Sequence, residues 1–388
     1  MASNIDNKTT AILENVGPYV GNYRETASEA LNDALEAYKA APSKQGYEAI
    51  NAAIAKAPRI EVEAGKWYTL RNHGRSNGTL YMTPEDSRFT VATGDAADAD
   101  QLFSFTATDT EGVFNLYNGN YGLYFGKLGA NETQPAVHET PEDAGRYTVI
   151  MSASGLSGIA CQNKTGGHAG NHLAGDCKRL VPWTTNAEAS LWYIQPVEFF
   201  NVTIPEAGYT TMNLPFAVSL PEAVEAYAVT GRTVVDNVEC LRIKLVEGAV
   251  PANHPVIVKA TAGNYVFNIV ADEEATAVEE RSEEFKGTLK AQTLTNNKKT
   301  VYTLSTDKFV RKNNSSVAVP ANSAYLVSES EADRLPLSTL EGVPVGIEGV
   351  NADTTSKNAL YDLNGKRVSN PTTGIYVTGK GQKVFIAR

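Results

Sequence analysis

The sequence has few of the residues on which enzyme sites and disulfide scaffolds are usually built. Its 388 residues include only 3 cysteines and 5 histidines. Three cysteines cannot form a disulfide framework. The sequence also contains no paired-histidine zinc motif, no glycine-rich phosphate or dinucleotide loop and no serine nucleophile elbow. We therefore expect a protein that is not an enzyme and that holds no metal or other cofactor.

Two further absences narrow the choice of partners. Lys and Arg total 34 against 44 Asp and Glu, which gives a net charge of −10 at pH 7. Nucleic-acid binding needs a basic surface, so we expect no nucleic-acid partner. No apolar run approaches the length of about 18 residues that marks a membrane-spanning helix. We therefore predict no transmembrane segment.

The middle of the chain, in contrast, is rich in repeated strand signals. Three strand-like runs end in Asn, 46 and 45 residues apart: 68–72, 114–118 and 159–163. Each unit ends near an aromatic residue, and these residues lie 44 and 45 positions apart: Phe103, Tyr147 and Trp192. A fixed period of this length indicates repeats, and two-residue alternation broken by turns indicates strands. We predict three four-stranded units of about 45 residues that close into one β-structure over residues 61–198, because closure removes exposed strand edges.

These units resemble the ricin-type β-trefoil family, whose mark is a Gln-x-Trp near the end of each repeat. Three segments resemble that mark: Gln101-Leu-Phe103, Arg146-Tyr147 and Ser190-Leu-Trp192. The resemblance covers about a third of the chain. It implies a closed, pseudo-threefold barrel and lectin-like carbohydrate binding.

The family resemblance also implies where sugar would bind. In such repeats an Asp after the second strand binds sugar hydroxyls, and an aromatic residue on the third strand stacks on the ring. Asp176 and Trp183 match this pattern in the third unit, whereas Thr83 and Gly126 stand where the first two units would need the Asp. We therefore expect at most one sugar site, unless Trp183 merely covers the barrel. Further polar contacts are expected from three residues: Asn171, His172 and Asn186.

The same loop allows other interpretations. His168, His172, Asp176 and Cys177 lie close together in sequence, but the segment is glycine-rich rather than helical, so the two histidines share no face and we predict no zinc site. Cys161 and Cys177 are either a disulfide pair or two small buried side chains. The loop 162–176 is also the longest candidate for a protruding, hydrolase-inhibiting loop, which is the least favoured function.

Residues 1–60 carry helical signals. Thr26-Ala-Ser-Glu29 has the form of a capping box, and apolar residues then recur at helical spacing. Pro42-Ser43 is predicted to end this helix and begin the next, and 10–16 is a candidate for a third helix. A narrow alanine-rich face needs a packing partner, so we expect a small helical hairpin that packs on the domain that follows. The alternative is a spacer or attachment module.

Residues 199–345 are predicted to form a β-sandwich-like domain. Strand-like runs separated by Gly, Pro and Asn occur at five places: 199–204, 211–214, 240–246, 255–258 and 265–270. The motif Val-Pro-Ala-Asn occurs twice, at 250–253 and 319–322, and leads each time into an apolar strand, which suggests related halves. The acidic run 272–284 lacks the spacing of a calcium loop and is predicted to be solvated.

Residues 346–388 are predicted to form a small β-tail. A hairpin is expected over 359–368, with its turn at Asn364-Gly365, followed by strands at 374–377 and 382–388. The segments Leu360-Tyr-Asp-Leu-Asn-Gly-Lys-Arg-Val368 and Gly374-Ile-Tyr376 resemble C-terminal modules that end many exported proteins of Bacteroidetes-type bacteria, including those of type IX secretion. The resemblance implies export to the periplasm, the cell surface or the medium, although residues 1–6 do not form a secretory signal.

Together these patterns predict an exported, non-catalytic, multidomain protein that is mainly β. The favoured function is binding of a glycan at one site in the third repeat. The alternative is a surface adhesin or scaffold that binds a host or bacterial surface protein.

Overall fold

The structure of the 388-residue chain is a computed structural model. It describes residues 2–74, 78–85, 88–94, 98–129, 133–162, 172–176, 179–185, 187–275 and 280–339, and in the tail 344–345, 360–361, 367–368, 374–378 and 383–386. The protein is mainly β, with helices at its N-terminal end and several separate sheets. The fold class predicted from the sequence is confirmed.

The N-terminal region folds as three helices around a small apolar cluster. The helices are α1 (Ala2–Leu13), α2 (Glu25–Ala40) and α3 (Lys44–Lys56). Ile12, Leu31 and Ile50, one from each helix, are buried against one another. None of the described helices is long and apolar enough to cross a membrane.

The helix starts differ in how they are capped. Ser43 caps α3 as predicted, because its hydroxyl accepts a hydrogen bond from the Gly46 amide at 3.0 Å. The predicted capping box at 26–29 is wrong, since α2 begins at Glu25 and its cap residue, Arg24, makes no side-chain capping bond. The Arg24 amide donates instead to the Pro58 carbonyl at 2.9 Å. A tertiary backbone contact, rather than a local side chain, therefore fixes where α2 begins.

The next region is a closed barrel with three hairpins. Its twelve strands are β1 (Trp67–Asn72), β2 (Leu80–Glu85), β3 (Arg88–Thr93), β4 (Leu102–Ala107), β5 (Phe114–Asn118), β6 (Leu123–Phe125), β7 (Val137–His138), β8 (Tyr147–Ile150), β9 (Leu156–Cys161), β10 (His172–Asp176), β11 (Arg179–Trp183) and β12 (Leu191–Pro196). Antiparallel pairing runs β1-β4-β5-β8-β9-β12 and back to β1, so six strands close a ring. The other six form the hairpins β2–β3, β6–β7 and β10–β11. This is the β-trefoil that the repeats predict.

The three aromatic anchors lie at equivalent places in the barrel. Phe103, Tyr147 and Trp192 are fully buried in the shared core. Each pairs with one residue on the first strand of a unit: Trp192 with Asn72, Phe103 with Asn118 and Tyr147 with Cys161. The equivalence predicted for Asn163 is therefore wrong by two residues, and Asn163 itself lies outside the described residues.

A difference in hydrogen bonding explains why the third unit needs no Asn at that place. The Nδ2 groups of Asn72 and Asn118 each donate to the carbonyl of a turn, at Ala189 and Asp100, both at 2.8 Å. In the third pair the anchor is Tyr147, and its own hydroxyl donates to the Gly126 carbonyl. In this pair the hydrogen bond to a turn is therefore made by the anchor and not by its strand partner.

The segment between α1 and α2 enters the barrel core. Val20 is fully buried among barrel residues, and its amide donates to the Ile194 carbonyl at 2.8 Å. Its carbonyl accepts from Ser157 Oγ at 3.2 Å, and Asn22 Nδ2 donates to the Ala153 carbonyl at 2.9 Å. The helical region is thus attached to the barrel through a buried apolar residue and several hydrogen bonds.

The second β region, residues 199–345, contains two large apolar cores and a small third cluster of Val301, Val317 and Val319. Its strands are β13 (Phe199–Ile204), β14 (Tyr209–Met212), β15 (Ala217–Ser219), β16 (Glu225–Val235), β17 (Val238–Leu245), β18 (Val256–Lys259), β19 (Gly263–Val270), β20 (Phe285–Thr288), β21 (Gln292–Thr295), β22 (Val301–Ser305), β23 (Lys308–Arg311), β24 (Ser316–Val319), β25 (Ser323–Val327), β26 (Arg334–Thr339) and β27 (Pro344–Val345). One sheet has the order β13-β19-β15, and another runs β14-β18-β16-β17-β26-β23-β22-β25-β20 with β27 at β26. Strands β16 and β18 supply alternate side chains to both cores, so they are buried on both faces.

The two Val-Pro-Ala-Asn motifs form matching turns. Asn253 and Asn322 both have positive φ, 55° and 52°, a conformation that Asn tolerates better than most residues. The Asn253 amide donates to the Leu214 carbonyl at 2.7 Å, and the Asn322 carbonyl accepts from the Asn213 amide at 3.0 Å. The repeated motif therefore brings both turns to one segment, residues 213–214.

The barrel and the second β region share an apolar cluster. Trp67 of β1 packs edge-on against Phe216 at 5.4 Å between ring centroids, within a core that also includes Leu102. At the border of this cluster Asn120 and Asn322 exchange amide hydrogen bonds of 3.3 and 3.0 Å. The two regions therefore meet through packed side chains.

The described part of the tail forms a small sheet of β28 (Leu360–Tyr361), β29 (Arg367–Val368), β30 (Gly374–Thr378) and β31 (Lys383–Ile386), in the order β29-β28-β30-β31. Leu360 pairs with Val368, as expected for the predicted hairpin. Its predicted turn, 364–365, lies outside the described residues.

Candidate functional site

Three rows of register partners cross four strands each, and the described side chains in these rows lie outside the shared barrel core. We call these the outward rows. The first outward row is Tyr193, Arg71, Tyr81 and Ala92. The second is Ser104, Tyr117, Tyr124 and His138. The third is Thr148, Ala160, His172 and Trp183.

The first outward row is packed against the N-terminal region. Tyr19, from the segment after α1, contacts Tyr193 at 4.7 Å between ring centroids. The Arg71 guanidinium lies 4.2 Å from the Tyr193 centroid, and its two terminal nitrogens donate to Tyr19 Oη at 2.9 Å and to the Gly78 carbonyl at 2.7 Å. These contacts use Arg71 and Tyr193 for structure.

The second outward row is packed against the second β region at one end. Tyr117 lies 6.4 Å from Trp67, beside the cluster shared with that region, and Ser104 is buried. Tyr124 contacts Tyr117 at 4.7 Å and pairs with His138. The aromatic surface that the sequence suggests in this unit is therefore partly used in packing.

Gly126, which stands where the second unit would need an Asp, cannot be replaced without a clash. A Cβ atom there would lie 2.6 Å from the Ala136 carbonyl oxygen and 2.9 Å from His138 Nε2. A different carboxylate, that of Glu142, lies near this row. Burial, and then the negative charge of Glu142, raise the pKa of Tyr124. Sequence reasoning missed Glu142, since it belongs to a loop rather than to the hairpin.

The third outward row ends in Trp183. This indole is half-buried and packs on Val181 and Ala189, which belong to the same unit. Its register partner is His172. Asp176 pairs with Arg179 at the other end of the hairpin, so its backbone lies four register positions from His172, about 13 Å along the strand.

The structure thus brings together two of the five predicted site residues, His172 and Trp183, as backbone partners. It places Asp176 at a distance from them along the same hairpin. For His172 and Asp176 the structure describes the backbone only. Asn171 and Asn186 lie outside the described residues.

The remaining predictions about chemistry concern metals and cysteines. Among the described residues, no group of three or more His, Cys, Asp or Glu side chains is placed to hold a metal ion. His168 and Cys177 lie outside the described residues, and Cys161 is buried in the barrel. In the acidic run, Glu284 pairs with Arg232 at 2.7 Å.

Comparison with known proteins gives similarity to solved structures only. No family model matches the chain, and no curated protein matches it. The Polyporus squamosus lectin bound to a human-type influenza-binding epitope aligns at 13% identity and a TM-score of 0.28, over 37% of this chain and 52% of that one. The BEL β-trefoil in an apo crystal form aligns at 16% and 0.27, over 35% and 95%. The PSL1a–E64 complex aligns at 11% and 0.28, over 37% and 50%, so the chain spans about half the length of the first and third.

Proposed function

We propose that the protein is a non-catalytic carbohydrate-binding protein with one sugar site, on the third outward row around Trp183. The observation that carries this proposal is a half-buried indole supported by Val181 and Ala189 of its own unit. The equivalent third-strand positions hold Ala92 and His138. A fixed indole offers a flat apolar surface of the kind that the C–H face of a sugar ring needs.

The register refines the kind of ligand. His172 lies beside Trp183, whereas Asp176 lies about 13 Å further along the hairpin. A single sugar ring is too short to contact both positions. We therefore propose an oligosaccharide that stacks on Trp183 and reaches toward Asp176, with Asn171, His172 and Asn186 as further polar contacts.

Glycan-array screening of the full chain, followed by titration calorimetry with a retained glycan, tests the proposal. We expect affinities corresponding to about −4 to −6 kcal/mol, as for a single weak site. Trp183→Ala is expected to weaken binding at least tenfold, which is about 1.4 kcal/mol. Tyr81→Ala, in the first outward row, is the matched control. Retention of no glycan, or equal affinity in both variants, would contradict the proposal.

A second candidate function is protein binding at a cell surface. The observation that favours it is the exposed apolar pair Phe199 and Val266 on β13 and β19, which are 56% and 54% exposed. Exposed apolar groups of this size on one sheet face are typical of interaction surfaces. Phe199→Ser should then abolish retention on immobilised surface extract while Trp183→Ala does not, and the reverse result would favour the glycan.

Export is part of the proposal and is supported by the resemblance of the tail to C-terminal modules of exported proteins. Fractionation of cells that express the chain with and without residues 346–388 tests it. If both forms reach the same compartment, the tail is not a sorting signal.

A further inference from the structure

A cavity of about 190 Å³ lies in the second β region, far along the chain from the sugar site. Its wall is formed by the turn after the first Val-Pro-Ala-Asn motif and by the segment that leads into β20. Six of its lining residues matter chemically: His254, Arg281, Ser282, Glu283, Phe285 and Lys286. Most of these are polar or charged, so the cavity is not an apolar packing defect.

His254 is the unusual residue of this cavity. It is 6% exposed, and its Nε2 atom is buried with no hydrogen-bond partner among the residues that the structure describes. A buried polar atom left unpaired costs roughly 1–3 kcal/mol. Native structures satisfy nearly all such atoms, so an exception calls for an explanation, such as a ligand.

The second Val-Pro-Ala-Asn turn shows what this position holds when it has only a structural role. There the residue after the motif is Ser323, and its hydroxyl donates to the Pro320 carbonyl at 2.6 Å. Both motifs place an Asn with positive φ immediately before this position. The first turn has nearly the same φ at its Asn but carries an imidazole whose Nε2 has no partner among the described residues, so packing of the turn alone does not require His254.

The charge at the mouth of the cavity is positive. Arg281 has no ion pair or hydrogen bond within the part of the chain that the structure describes. Lys286 lies 3.6 Å from Glu283, whose side chain is 90% exposed, so this pair is weak. Two cations therefore face one solvated carboxylate.

We propose that this cavity binds the oxyanion group of a small acid, with Arg281 and Lys286 at the mouth, His254 at the floor and Phe285 as the apolar wall. The site is independent of the sugar site. Burial, and then the Arg281 charge, lower the pKa of His254. An anion beside Arg281 opposes the second cause and accepts a hydrogen bond from the ring, which satisfies the group that is otherwise unpaired.

Histidine side-chain NMR of the full chain, labelled with ¹⁵N, tests this proposal directly. The probes are sodium sulfate and sodium glucuronate, with glucose as the neutral control, and His254→Gln assigns the resonance. We expect saturable shifts of the His254 nitrogens with the anions and none with glucose. Tighter binding of glucuronate than of sulfate identifies an organic acid as the occupant, and the reverse identifies an inorganic ion.

Two variants make the result decisive. Arg281→Gln is expected to weaken anion binding about tenfold or more, the loss expected for a charge-assisted hydrogen bond. Arg334→Gln removes the same charge from an exposed site on β26 and should change the affinity less than about twofold. Equal shifts with glucose, no saturable shift at His254, or equal affinity in the two variants would overturn the proposal.

Discussion

The first and third outward rows of the barrel have the same strand pairing but different surroundings. In the first row, Arg71 and Tyr193 are packed against Tyr19 from the N-terminal region. In the third row, Trp183 is half-buried and packs on Val181 and Ala189 of the third unit. The threefold fold offers three equivalent positions, and the attached regions use some of them for packing. Function in a repeated fold therefore depends on what the rest of the chain covers.

The largest expected effect separates the two faces of the third unit. Trp192→Ala removes a fully buried anchor and should lower the free energy of unfolding by about 3–5 kcal/mol. Trp183→Ala removes a half-buried ring and should cost about 1 kcal/mol. Urea unfolding of the full chain, followed by circular dichroism, measures both. Equal losses would show that Trp183 is a core residue rather than a surface one.

The next effect concerns glycan binding and compares the third outward row with the first. Trp183→Ala should reduce glycan affinity at least tenfold, whereas Tyr193→Ala, in the first outward row, should leave it unchanged. Titration with one retained glycan gives both values. A loss of affinity in Tyr193→Ala alone would move the sugar site to the first outward row.

A smaller effect is expected from removing the residue that packs on the first outward row. Tyr19→Ala removes a ring contact with Tyr193 and the acceptor of an Arg71 hydrogen bond, with an expected cost of about 1–2 kcal/mol. Hydrogen exchange of the Val20 amide, which donates to Ile194, should become faster. Tyr19→Phe keeps the ring and should show an intermediate rate. No change in either variant would mean that Tyr19 does not help to attach the N-terminal region to the barrel.

The smallest effect is a pH dependence near the contact between the barrel and the second β region. Burial, opposed by a hydrogen bond from Asn120, raises the pKa of Asp100 above 3.8. The folded state therefore holds this proton more tightly than the unfolded chain, and the stability gained is lost as the pH rises through the folded pKa. Asp100→Asn keeps an acceptor for Asn120 and should become more stable relative to the wild type as the pH rises.

Asp109 is the matched control, because hydrogen bonds from Arg146 and then Thr110 lower its pKa. Its contribution is present above the usual pKa and is lost as the pH falls. Asp109→Asn should therefore show a slope of opposite sign in unfolding experiments at several pH values. Slopes of the same sign would contradict the two assignments.

The repeat period in the sequence was enough to predict the barrel, because burial of Phe103, Tyr147 and Trp192 recurs wherever equivalent strands close a ring. The same reasoning placed the third unit two residues out of register. It matched a polar residue, Asn163, whereas the structure matches Cys161. Apolar periodicity predicts the core because all three units contribute to it. A polar residue makes an individual hydrogen bond, and one unit can replace that bond with a different one.

The candidate site was less predictable than the fold. Trp183 was found because a large aromatic residue on a short strand is visible in sequence. The packing of Tyr19 on the first unit and the proximity of Glu142 to Tyr124 join distant or irregular segments, and no period encodes such contacts. The distance between Asp176 and Trp183 also depends on hairpin register, which sequence spacing alone does not give.

The burial of Val20 has a consequence for how this protein can be divided. A fragment that starts at residue 61 would lack the side chain that fills the barrel core and the amide that donates to Ile194. Such a fragment would have an apolar cavity, open to water, at the place that Val20 fills in the intact chain. Excision or grafting of the barrel therefore has to carry the upstream segment with it, or replace that side chain from elsewhere.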